Sequence, residues 1–220
     1  GEALVRWQND KEMIYPDQFI PVLEKNGYVI DVDNFIWNKV CACIKMMEDK
    51  GIEPVPISVN VSRMHVYQEK FTENLKNMAG EYGIDPKYIP LEITESAFTK
   101  EDGSLFKKVQ SLQGYGFKFS MDDFGSGYSS LGMLKSERVD EVKIDKTFVD
   151  DIATDKGKVL LGNVIRMINE LGIDMIAEGV ETKEQADFLK ENGCMYAQGY
   201  YYYKPMPIEE FAKLLENSAR

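Results

Sequence analysis

Asn60, Glu92, Asp122 with Asp123, Lys143, Glu178 and Gln198 each close a short strand-like segment, and a seventh segment, Glu2 to Trp7, adds the Glu2 carboxylate and Arg6. Glu2, Asn60, Glu92, Asp122 and Asp123 are hard oxygen donors that suit magnesium or manganese, and no thiolate or imidazole accompanies them. Consecutive aspartates on an extended strand face opposite ways, but where the backbone turns at a strand end Asp122 and Asp123 can reach different ions or bridge a pair. Two ions about 3.5 to 4 Å apart would activate a water and neutralise the attacking and leaving oxygens of an in-line phosphoryl displacement. Lys143, beside several carboxylates, can hold the activated water or a non-bridging phosphate oxygen. Glu178 can bind metal or accept the water's proton, and the residue types leave these roles open. Arg6 offers a fork for a phosphate and Gln198 an amide for substrate or water. The loop Asp123-Phe124-Gly125-Ser126-Gly127-Tyr128-Ser129-Ser130 reads as a lid over the metals at least as readily as a phosphate cradle.

The elements that must hold these residues alternate. Strands are predicted at Ala3 to Trp7, Val55 to Val61, Pro90 to Thr94, Phe117 to Met121, Glu141 to Ile144, Met175 to Glu178 and Tyr196 to Tyr200. The clearest helix is Val32 to Met47, where apolar residues recur at three-to-four spacing between a capping Asp31 and a terminating Gly51. Others are predicted near Phe71 to Tyr82, Leu105 to Tyr115, Lys158 to Leu171, Lys183 to Asn192 and Ile208 to Glu216, with Pro205-Met206-Pro207 turning into the last. Alternating units of this kind predict an α/β fold, a parallel sheet with right-handed crossovers, closed as a barrel whose chemistry gathers at the carboxyl ends of the strands. An eight-stranded barrel needs one strand more than can be counted, and the shortfall falls at the amino terminus, so a truncated domain is expected.

The composition suits one domain over residues 1–220: 44% of residues are hydrophobic and 29% charged, enough for a substantial core. With 26 basic against 37 acidic residues the formal charge is -11, which argues against a grip on polymeric nucleic acid through its phosphates. Cys41, Cys43 and Cys194 have no ligand spacing and read as buried small hydrophobes in a reducing cytoplasm. No signal peptide or membrane-spanning run is evident, so a cytoplasmic segment without membrane contact is expected, in a parent protein that could carry an anchor. The lone His65 is expected at the surface or the start of a helix, and the run Tyr200 to Tyr203 in half-buried strand and loop packing rather than stacked on a guanine.

Several spaced motifs together resemble one family. Glu2-Ala3-Leu4, Ser58-Val59-Asn60-Val61-Ser62, Leu91-Glu92-Ile93-Thr94-Glu95-Ser96, Asp122-Asp123-Phe124-Gly125, Val142-Lys143-Ile144-Asp145, Ala177-Glu178-Gly179-Val180-Glu181-Thr182 and Gln198-Gly199-Tyr200 stand in the order found in EAL domains. These are bacterial phosphodiesterases that open cyclic di-GMP to linear pGpG. The resemblance implies a modified TIM (β/α)8 barrel with an antiparallel first strand, which has no counterpart in this sequence. It implies Glu2, Asn60, Glu92 and Asp122 as ligands of a first magnesium or manganese ion and Asp123 at a second, with Glu178 also available to metal. Lys143 and Glu178 would assist the nucleophilic water, and Glu95 would anchor the loop after Asp123. Arg6 and Gln198 would touch substrate or its waters, and Asp145 and Glu181 would support the substrate side. Ser126 stands where threonine is common. The family often pairs through the region after Asp123, so a homodimer is an expectation. A catalytically silent cyclic di-GMP receptor is the alternative; such members usually lose metal or base residues, which this sequence keeps.

Overall fold

The computed structural model describes residues 1–9, 12–94, 103–125, 134 and 139–218. Its helices are α1 (Pro16–Asn26), α2 (Val29–Asp49), α3 (Arg63–Val66), α4 (Phe71–Tyr82), α5 (Gly103–Gln113), α6 (Lys146–Asp150), α7 (Asp155–Glu170), α8 (Lys183–Glu191) and α9 (Ile208–Ser218). The strands are β1 (Trp7–Gln8), β2 (Met13–Ile14), β3 (Val59–Asn60), β4 (Leu91–Thr94), β5 (Phe119–Phe124), β6 (Glu141–Ile144), β7 (Asp174–Ala177) and β8 (Tyr196–Ala197). The fold is α/β, with β3 to β8 in one six-stranded parallel sheet whose order follows the chain.

Two departures from the predicted elements have local causes. The predicted strand at Ala3 to Trp7 is split. Glu2 forms a parallel bridge to Ser58, closed by Ser58 N–H to Gly1 O at 2.8 Å and Ala3 N–H to Ser58 O at 2.9 Å. Regular pairing resumes at β1, antiparallel to β2, with Trp7 opposite Ile14 and Gln8 opposite Met13. Helix α1 was not among the predicted elements, because Pro21 inside it interrupts the pattern. Pro16 at its first turn and Gly27 at its end, in the left-handed conformation, mark its limits.

The residues gather into two compact units, divided within β4. The first holds Gly1–Glu92, Gly103–Lys118 and the segment from Met206. Its core is built from Trp37, Ile44 and Met47 of α2, Phe71 and Leu75 of α4, and Leu105, Val109 and Leu112 of α5, all buried. Cys41 and Cys43 lie in this core, and burial pushes the Cys41 thiol up to about 12. The second holds the end of β4 and Phe119–Pro205. Its buried apolar residues include Val142 and Ile144 on β6, Met175 and Ala177 on β7, and Leu161, Ile165 and Ile168 of the amphipathic α7. Cys194 is buried here, its thiol pushed up to about 11. All three cysteines are therefore core residues, as their spacing suggests.

Two expectations about single residues are corrected. His65 lies in the first turn of α3, a helix entry as expected, but it is 0% exposed rather than at the surface, packed against Trp37 and Phe71. Tyr200 to Tyr203 follow β8 in a turn and are all exposed, from 42% to 61%, because β8 ends at Ala197 and no strand carries them inward.

Gly157 lies in the first turn of α7, where Thr154 caps the helix by accepting from its N–H at 2.9 Å. A Cβ there would sit 1.9 Å from the Asp151 carbonyl oxygen. Alanine is the better helix former by about 1 kcal/mol, yet the clash with backbone should dominate, so Gly157→Ala is expected to cost about 1 to 3 kcal/mol in urea denaturation. A stabilised variant would show that the close approach relaxes freely.

Candidate active site

In the first unit, three predicted oxygen donors come from neighbouring extended segments. Asn60 is the last residue of β3 and stands in register with Glu92 on β4. On the other side of β3, the bridge to Ser58 brings Glu2 alongside, and the Asn60 amide donates to Glu2 Oε1 at 3.4 Å. Glu92 is 1% exposed. Such a carboxylate must be compensated, and a hard cation is one group that would do it. Arg6 lies further along the same segment. Its Nη1 donates to the Val5 carbonyl at 2.7 Å and its guanidinium sits over the Tyr15 ring, 5.5 Å from the centroid.

The second unit gathers the predicted proton-handling residues around Lys143. On β5, Met121 pairs with Val142 and Phe124 with Ile144, so Asp122 and Asp123 together oppose the single residue Lys143. This is a β-bulge, and it answers how two consecutive aspartates can both be offered at one strand end. Asp123 takes φ 56°, the sole non-glycine residue in the left-handed region among those described. Its N–H donates to Asp122 Oδ1 at 3.0 Å. Lys143, in the middle of the buried strand β6, is 1% exposed. Its ammonium lies 2.7 Å from Glu178 Oε1 and 3.5 Å from Asp122 Oδ1. Glu178 and Gln198 each stand one residue past a strand, β7 and β8, and the Gln198 amide donates to the same Glu178 oxygen at 2.8 Å. One carboxylate oxygen thus receives both a lysine and an amide.

Asp145 and Glu181 are engaged beside this group. Asp145 caps α6, accepting from Thr147 N–H at 2.9 Å and from the Thr147 hydroxyl. Glu181 pairs with Lys146 at 3.0 Å, and Lys146 also reaches Asp150 at 3.1 Å. The bond to Glu181 is the largest of the effects that raise the Lys146 pKa, and Asp150 adds to it. Gly179 makes this possible: at φ 65°, it has no Cβ to strike the Lys146 side chain, which passes within 2.4 Å of where one would be. Lys146 was not among the predicted site residues, since a surface lysine after a strand carries no distinguishing signal. Glu95 and Ser126 to Ser130 lie outside the described residues. Among the described residues no three acidic, histidine or cysteine side chains close on one point.

The EAL domain family model matches residues 1–205, and the chain belongs to that family. The chain is 36% identical over 211 residues to the oxygen sensor protein DosP of Escherichia coli, covering 95% of this chain and 26% of DosP. It is 34% identical over 216 residues to the probable cyclic di-GMP phosphodiesterase PdeG of the same organism, covering 97% of this chain and 43% of PdeG. Among solved structures, the PaMucR phosphodiesterase in complex with c-di-GMP matches with a TM-score of 0.90 at 31% identity, over 96% of this chain and 86% of that one. The fold is therefore the TIM-barrel-like fold of EAL domains. The chain spans between a quarter and a half of the length of these two curated relatives.

Removing one partner of a buried ion pair strands the other. Lys143→Met keeps the unbranched stem of the side chain, one heavy atom shorter, but leaves Glu178 and Asp122 facing each other without the ammonium, and should cost about 3 kcal/mol in thermal or urea unfolding without divalent metal. Loss below about 0.5 kcal/mol would mean that water screens the pair far better than its burial implies.

Proposed function

We propose that this segment is the catalytic domain of a phosphodiesterase that opens cyclic di-GMP to linear pGpG with magnesium or manganese, two ions per site. The observation that carries the reading is the buried Lys143 held against Glu178 and Asp122, with Gln198 on the same Glu178 oxygen. A pure binding domain has no need to bury a lysine at such cost beside two acids. Membership in the EAL family and the relatives named as cyclic di-GMP phosphodiesterases support the same substrate.

Glu2, Asn60, Glu92, Asp122 and Asp123 are the donors to which we assign the ions, with Glu178 available as a further ligand. All are oxygen donors, the chemistry that magnesium and manganese prefer. When bound, the ions lower the pKa of a water and neutralise charge on the phosphate. Lys143 orients the attacking water or a phosphate oxygen, and Glu178, its geometry fixed by Lys143 and Gln198, is placed to take the water's proton. The water oxygen bonds to phosphorus as the bond from phosphorus to a ribose 3′ oxygen breaks; a proton restores that hydroxyl, and the linear dinucleotide keeps a 5′ phosphate. Arg6, steadied over Tyr15, is assigned to a substrate phosphate, and Asp145 and Glu181 to support of the substrate side. A cytoplasmic setting, and pairing with a second copy, belong to this reading; among the described residues no helix is long and apolar enough to cross a membrane.

Incubation with cyclic di-GMP and magnesium or manganese, followed by chromatography, should yield pGpG. Glu2→Ala should lower kcat/KM by at least about a hundredfold, since a lost metal ligand removes several kcal/mol of charge stabilisation, and chelation should abolish turnover. Tight binding of cyclic di-GMP by the metal-loaded wild type without product would instead establish a receptor.

A further inference from the structure

The first unit contains a buried polar network that the reaction as described does not use. Asp33 on α2 and His65 on α3 are both buried, at 7% and 0% exposure. Asp33 Oδ2 accepts from Ser62 N–H at 3.1 Å, from the Ser62 hydroxyl at 2.6 Å and lies 3.2 Å from His65 Nδ1. A carboxylate only accepts, so the imidazole hydrogen faces it from Nδ1. The His65 ring stacks on Trp37, one turn after Asp33, with centroids 4.4 Å apart and planes at 14°. The Trp37 indole N–H then donates to the Asn60 carbonyl at 3.0 Å. Ser62 also caps α3, accepting from His65 N–H at 3.2 Å.

These bonds fall on consecutive peptide groups. The Asn60 carbonyl is held by Trp37, the Val61 N–H by the Glu92 carbonyl at 2.9 Å, and the Ser62 N–H by Asp33. No peptide group between Asn60 and the start of α3 is left to turn. A short polar side chain such as Asn60 aims its oxygen only as well as its backbone is fixed, and β3 is too short, at two residues, to fix it alone. Simple attachment of α2 to the sheet would be achieved at lower cost by apolar packing, since a buried carboxylate must be compensated by several donors.

We propose that Asp33, Ser62 and Trp37 are positioning residues for Asn60, and through it for the metal ion to which Asn60 is assigned. The inference rests on the metal-dependent reading above, but its first test does not require turnover. Asp33 and Trp37 hold the ligand's backbone rather than touching substrate or metal, the part that outer partners play in metal sites, where their loss costs about 10- to 100-fold in affinity or activity.

The test is Mn2+ binding to the 220-residue chain by titration calorimetry and by the electron paramagnetic resonance signal of free Mn2+. Asp33→Ala and Trp37→Phe are expected to weaken Mn2+ by about tenfold or more, while Asp33→Asn, whose amide oxygen still accepts from Ser62, recovers most of the affinity. In the hydrolysis assay the Mn2+ concentration at half-maximal rate should rise in the same order, with kcat restored at saturating Mn2+; a general loosening of the fold would lower kcat at every Mn2+ concentration. Circular dichroism identifies folded variants. If Asp33→Ala does not fold, Ser62→Ala, which deletes one hydroxyl, takes its place, with an expected weakening of several-fold. Wild-type Mn2+ affinity in folded Trp37→Phe and Ser62→Ala overturns the proposal. Weakened Mn2+ binding with no hydrolysis by the wild type upholds it and sinks the phosphodiesterase reading alone.

Discussion

The ammonium of Lys143 is the constraint around which the second unit is organised. A lysine in the middle of a parallel strand, almost out of contact with water, is tolerated only if carboxylates meet it there. Glu178 supplies the closer one at 2.7 Å, and this fixes where β7 must end, since Glu178 follows its last residue. Asp122 supplies the other, and the bulge in β5 brings two aspartates opposite one lysine. The left-handed backbone at Asp123 follows from the same bulge. Gln198, one residue past β8, adds an amide donor to the Glu178 oxygen that meets Lys143. Groups from three strands, β5, β7 and β8, are thus gathered around one buried charge on β6.

The first unit solves a different problem with similar means. Oxygen donors on Glu2, Asn60 and Glu92 must be aligned from segments that are short or joined by only a single bridge. Strands of two residues make few ladder bonds, so the rigidity comes from helix α2 through side chains, with Asp33 and Trp37 binding the backbone that follows Asn60. Both units therefore use buried polar groups bonded to one another where an apolar core would be more stabilising, a pattern expected where geometry matters more than stability.

Much of this was legible in the residues themselves. The segment Glu141 to Ile144 is a strand with the limits its composition predicts, and Phe71 to Tyr82 is a helix over the residues its periodicity predicts. Lys143 and Glu178 were singled out from residue type and position at strand ends. Less legible were features that depend on partners distant in the chain. Tyr200 to Tyr203 have the composition of a strand, but pairing with β7 ends at Ala197, and the tyrosines are left exposed. His65 looks like any polar residue near a helix start until Asp33, 32 residues earlier, meets its ring nitrogen. A hint existed in Asp33 itself, an acid four residues before Trp37 and four after Val29, on the stripe that α2 buries.

What the sequence determined alone is the family, the alternating α/β order and the kinds of donor at each strand end, because these are written in residue type, periodicity and spacing along the chain. The tertiary structure decided which carboxylate oxygen meets Lys143, that both aspartates oppose one residue, and that Asp33, Ser62, His65 and Trp37 join behind Asn60. Hydrogen bonds and ion pairs act over about 3 Å and depend on register between strands and helices, and that register exists only once residues tens of positions apart are packed together.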